Sequence, residues 1–108
     1  MSEFLERIRA LIGAGEVRIS EHGYDELAED KLTAREVVAG VQEAVIVEEY
    51  PDYPKGLSIL LLQKDQAGES IHVVWGIQKG YSKPVVLVTA YRPDPKRWDE
   101  GFTKRWRG

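Results

Sequence analysis

The chain has 108 residues, 43% hydrophobic and 31% charged, with a net charge of -3 at pH 7, a balance that fits one soluble globular domain with a single core. It has no cysteine and two histidines, His22 and His72, so disulfides, thiolate metal sites and a cysteine nucleophile are excluded. A metal site would need both imidazoles plus carboxylates, which their spacing does not announce, and neither metal nor cofactor is expected.

No apolar run approaches the roughly 18 residues of a membrane span, and the amino terminus is charged and helical rather than signal-like. The expectation is a cytoplasmic protein with no membrane partner. Charge is divided unevenly: residues 1–78 hold seven Lys/Arg against fifteen Asp/Glu, whereas residues 79–108 hold eight against three. A basic carboxyl-terminal part could meet nucleic acid, or could be neutralised by the acidic helices on which it packs.

Taken in order, Ser2 can cap a first helix whose Phe4, Leu5, Ile8, Leu11 and Ile12 form one apolar stripe, ended by Gly13 and Gly15. Val17 to Ile19 reads as a short extended piece. Ser20 can cap a second helix running to Asp30, with His22 in its first turn and with Gly23 as a residue that weakens helix. Thr33 and Glu36 have the spacing of a capping box for a third helix with Val37, Val38 and Val41 on its inner side.

Ala44 to Glu48 reads as a strand, followed by a rigid connection containing Pro51, Pro54 and Gly56. Leu57 to Lys64 is a further strand. Ile71 to Ile77 and Val85 to Tyr91 are rich in β-branched and aromatic residues and read as the central antiparallel hairpin, covered on both faces because both faces are apolar. The prolines at 93 and 95 prevent helix before Pro95. Helices first and strands after give an α+β domain, with the helices packed on an antiparallel sheet of three to five strands.

Register decides what faces His72. If Ile77 pairs with Val85, Arg92 shares the face of His72; one step of slip puts Tyr91 there instead.

The ordered set Ile19-Ser20-Glu21-His22, Leu32-Thr33, Glu48-Glu49-Tyr50-Pro51, Ile71-His72-Val73-Val74-Trp75 and Thr89-Ala90-Tyr91-Arg92-Pro93-Asp94, with Trp98 beyond it, resembles the DUF4258 family of small bacterial proteins over about residues 17–105. The resemblance implies a RelE-like fold, a place in toxin–antitoxin modules and a zinc-finger, MqsA-like antitoxin as partner. It points to His22, His72, Tyr91, Arg92 and Trp98 as recurrent positions. Where relatives carry arginines around the second helix, this chain has Asp25, Glu26, Glu29 and Asp30, which argues against a phosphate site there.

A metal-independent ribonuclease needs a base for the ribose 2′-hydroxyl, an acid for the leaving oxygen and cations for the phosphorane. His22 and His72 are the expected acid–base pair, with Tyr91 and Arg92 beside them as the catalytic set. Lys79, Lys83, Lys96, Arg97 and Trp98 are the expected RNA contacts. Tyr91 could equally be a core-edge aromatic, Trp98 a residue closing the sheet edge, and both histidines structural. The competing function is a non-catalytic module that holds RNA or a protein in the same groove.

Overall fold

The computed structural model describes residues 3–105, so the expected Ser2 cap lies outside the described residues. Helix α1 (Glu3–Gly13) buries Leu5 and Ile8. Strand β1 (Val17–Ile19) leads into α2 (Glu21–Glu29), where the Ser20 hydroxyl accepts the Gly23 N–H at 2.9 Å as an N-cap. Helix α3 (Ala34–Gly40) carries the complete Thr33/Glu36 capping box and continues into a 3-10 turn at Val41–Glu43. Four strands follow: β2 (Val45–Tyr50), β3 (Gly56–Lys64), β4 (Ser70–Gln78) and β5 (Val85–Tyr91).

The fold is α+β, as the order of elements predicts, with five strands arranged β1-β5-β4-β3-β2 and β4 in the centre. Strands β2 to β5 are antiparallel to their neighbours, but β1 lies parallel to β5, so the sheet is mixed rather than purely antiparallel. The reason is local. From β1 the chain turns at Ser20 straight into α2, which packs along β5, and Ser20 itself binds β5 through its N–H to the Leu87 carbonyl and its hydroxyl to the Val88 carbonyl.

All three helices cover one face. Ile59 and Leu61 of β3, Ile71, Val73, Trp75 and Ile77 of β4, and Val85, Leu87 and Ala90 of β5 meet Leu5, Ile8, Leu27, Val37 and Val41 there. One polar side chain is included. Gln63 is 1% exposed; its amide N–H donates to the Val37 carbonyl at 2.8 Å, and its oxygen accepts the Trp75 indole N–H at 3.0 Å.

On β5 the buried positions run 85, 87, 90, a change of parity that two-residue alternation does not allow. A register shift produces it: Trp75 pairs with Leu87, but Val74 pairs with Thr89, leaving Val88 as the extra residue of a bulge. Both registers expected for this hairpin therefore occur, one on each side of Val88.

Cover on the second face is partial, contrary to the expectation for the whole hairpin. The segment after Tyr91 folds back through an isolated bridge between Trp98 and Arg105 and lies over His72. Further along, Val74 is half-buried and Val88 is exposed, beside a shallow apolar groove also lined by Tyr50, Tyr53 and Ser58.

Gly23 lies inside α2 because the helix rests on the β5 backbone: a Cβ there would fall 2.8 Å from the Leu87 carbonyl oxygen and 3.0 Å from a Leu87 methyl. The packing requirement outweighs the roughly 1 kcal/mol of helix propensity that Ala would gain. Gly23→Ala should therefore lower stability by about 1–3 kcal/mol, the usual cost of overpacking. Denaturant unfolding checks it, and an unchanged or raised midpoint would mean that α2 can back away from the sheet.

Candidate functional site

His72 projects from the central strand between Ile71 and Val73, and since both of these face the helices, alternation turns the imidazole to the other face. Past the Val88 bulge its cross-strand neighbour is Tyr91, not Arg92. The ring is fully buried. Its Nε2 lies 2.7 Å from the Phe102 carbonyl oxygen and its Nδ1 3.2 Å from the Tyr91 hydroxyl. A carbonyl only accepts, so Nε2 carries the hydrogen; in the neutral ring Nδ1 then accepts the Tyr91 O–H. The Trp98 and Tyr91 rings meet the imidazole edge-on, with centroids 4.5 and 5.4 Å away.

Burial pushes the His72 pKa below the ordinary imidazole range, partly offset by the Phe102 carbonyl. Burial also raises the Tyr91 phenol. Both groups are neutral near pH 7, and the pair is a chain of carbonyl, imidazole and phenol that ends in a half-buried hydroxyl.

The second histidine does not join it. His22 stands on the outside of α2, on the helix-covered side of the sheet, with its side chain 66% exposed and Nε2 3.4 Å from Glu26. The inward residues of that helix are Gly23 and Leu27. The expected acid–base pair of His22 and His72 is therefore split across the sheet.

Arg92 is used structurally. Its guanidinium donates to Asp65 at 2.8 Å and to the Asp30 carbonyl at 3.3 Å, while its backbone N–H donates to the Asp30 carboxylate at 3.0 Å. It thereby ties the end of α2 to the β3–β4 turn, where Asp65 also accepts the N–H groups of Ala67 and Glu69. The hydrogen bond from Arg92 holds the Asp65 carboxyl below the usual range.

Of the expected RNA contacts, Lys96, Arg97 and Trp98 are on the segment beside Tyr91. Lys79 and Lys83 lie at the other end of the hairpin, and Lys83 is 3.6 Å from Glu16. Trp98 is no stacking platform: it is 5% exposed, with His72 against it and the Arg105 guanidinium 5.0 Å from its centroid. It covers His72 on the second face of the central strand and does not close a sheet edge.

Arg105, expected with Arg92, Lys96, Arg97 and Lys104 in a basic patch, pairs with Glu48 at 3.3 Å. Two contributors escaped the reading of the sequence: Tyr50 donates its hydroxyl to the same carboxylate at 2.7 Å, and Phe102 supplies the carbonyl for His72. Burial, with the Glu48 hydrogen bond, pushes the Tyr50 phenol up to about 12. Glu48 and Tyr50 are two apart on one strand and share a face, a signal available in advance; nothing in the pattern marks Phe102.

What these residues build is an open concavity of about 490 Å3 lined by Tyr91, Arg92, Asp94, Arg97, Trp98 and Arg105. Among the described residues no group of three or more His, Asp or Glu side chains could hold a metal ion, and no helix is long and apolar enough to cross a membrane.

Because His72 binds its proton more weakly folded than unfolded, the unfolded chain takes up more protons as pH falls through about 6.5, and stability must fall with it. Between pH 8 and 5.5 the loss should stay below about 1.4 kcal/mol per pH unit. His72→Gln keeps a donor for Phe102 and an acceptor for Tyr91 but does not titrate. Its urea midpoint should therefore vary less over that interval, and equal slopes would remove His72 as the cause.

No curated protein and no solved structure was found to match the chain. Residues 19–92 match the model of a family described as a domain of unknown function, DUF4258. That span begins at the last residue of β1, holds α2 to β5 with His22, His72, Tyr91 and Arg92, and stops short of Trp98, Phe102 and Arg105. By this match over more than half of its length, the chain belongs to the DUF4258 family.

Proposed function

We propose that this protein is an RNA-binding module with a RelE-like arrangement of helices and sheet, acting within a toxin–antitoxin type system and holding RNA by its phosphates. The observation that carries the reading is the convergence of Arg92, Arg97 and Arg105 on one open concavity that Tyr91 also lines. Planar guanidinium groups match phosphate oxygens in pairs. Arg92 is engaged by Asp65 and Arg105 by Glu48, whereas Arg97 is exposed and has no ion-pair partner among the described residues. Arg97 is thus the first contact, and Arg105 turns from Glu48 to the ligand.

Binding is favoured over cleavage because the paired-histidine mechanism has lost its second imidazole. A ribonuclease reading survives in one form, through the Tyr91 hydroxyl, whose hydrogen is directed at His72, on a residue that lines the concavity. There Tyr91 would take the 2′-hydroxyl proton while passing its own to Nδ1, a step that the lowered basicity of His72 opposes.

For two or three phosphate contacts, single-stranded RNA affinity should fall about 7- to 20-fold between 50 and 200 mM salt. Arg97→Ala should weaken binding and flatten the log–log salt slope by about 0.7, the share of one phosphate. Fluorescence anisotropy with a labelled mixed-sequence RNA measures both. Salt-independent binding, or an unchanged slope in Arg97→Ala, removes the site. Incubation in chelator decides the second reading: cleavage by the wild type that Tyr91→Phe abolishes would make the protein an enzyme.

A further inference from the structure

The edge strand β1 is bonded on one side only. Val85 N–H donates to the Glu16 carbonyl at 3.0 Å and Ser20 N–H to the Leu87 carbonyl at 3.1 Å. In a parallel ladder these contacts direct the backbone groups of alternate residues, Glu16, Arg18 and Ser20, toward β5. The N–H and C=O groups of Val17 and Ile19 then point to the open side. No described strand lies there.

Beside this edge is the largest of the described concavities, about 810 Å3, walled by Val17, Ile19, Tyr24, Ala34, Val38 and Ala39. Tyr24 is 59% exposed. The charged residues of the lining are Arg18 and Arg35, and neither guanidinium has a hydrogen bond or ion pair among the described residues. Both lie within residues 1–78, where acidic side chains outnumber basic ones by fifteen to seven, yet among the described residues no acidic side chain lines this groove. An apolar trough, a row of unused backbone donors and acceptors and a positive rim together specify a ligand: an extended chain with apolar side chains facing inward and carboxylates at the rim.

We propose that the β1 edge and its groove receive an extended segment of a partner protein, apolar with interspersed acidic residues, as a sixth strand of the sheet. A second copy of this chain fits less well, since antiparallel pairing of two β1 strands about their centres sets Arg18 against Arg18. Nucleic acid also fits less well, because it offers neither strand hydrogen bonds nor side chains for the apolar walls. The site lies at the Val85 end of β5, whereas the arginine concavity lies at the Tyr91 end, so one can be filled while the other is free.

The test uses two synthetic peptides, one of alternating valine and glutamate and one with lysine in place of glutamate, titrated into the full chain and followed by amide hydrogen exchange. The glutamate peptide should bind at least about tenfold more tightly than the lysine peptide and protect the Val17 and Ile19 amides. In Arg18→Glu/Arg35→Glu the preference should reverse, with far-UV circular dichroism confirming the fold. Equal affinity for the two peptides, or binding without protection of those amides, overturns the proposal. So does protection of the same amides by RNA alone, or by self-association at higher protein concentration.

Discussion

One extra residue in β5 sets the chemistry of the sheet's second face. Without the bulge at Val88, Tyr91 would point toward the helices and Ala90 would stand opposite His72, leaving the imidazole with no phenol and the core with a tyrosine hydroxyl to satisfy. With it, Val85, Leu87 and Ala90 all fill the core, and the last turn of the ladder delivers a hydrogen-bonding side chain to the other side. The bulge also opens β5 just where the Ser20 hydroxyl reaches the Val88 carbonyl, so the same irregularity anchors the start of α2.

From His72 outward the carboxyl-terminal segment is held by a chain of contacts. Phe102 accepts from the imidazole, Trp98 packs on it, Arg105 lies against Trp98, and Glu48 receives both Arg105 and Tyr50. Arg105 is thereby drawn onto a strand bearing acids, and with the Lys83–Glu16 and Arg92–Asp65 pairs part of the charge asymmetry is spent within the molecule. Arg97 is left as the cation facing the concavity without an ion pair among the described residues. Catalytic and structural uses of His72 pull in opposite directions: the burial that makes it a good pin for the segment makes it a poor proton acceptor.

The helix termini were legible because their signals are local. Thr33 with Glu36 and Ser20 ahead of α2 need no knowledge of what lies across the fold. The central place of β4 was legible too, since Ile71, Val73 and Trp75 demand burial. The parallel alignment of a three-residue strand was not, for its partner is some 68 positions away in the chain. Nor could the spacing of His22 and His72 reveal which side of a sheet each would face. That depended on α2 packing through Gly23 and Leu27 and on the parity of β4. Gly23 itself read as a defect because its reason, the Leu87 carbonyl, belongs to another element.

Gln63 bears on how uniquely the helices sit on this sheet. Hydrophobic contacts alone tolerate small slides of a helix, because one apolar neighbour replaces another at little cost. The Gln63 amide does not, since its hydrogen bonds to Val37 and to Trp75 are both made in a buried site, and any slide of α3 that loses the first strands a polar group away from water. The amide thus selects one docking among several near-degenerate alternatives, and a core built from oily side chains acquires a single address for α3.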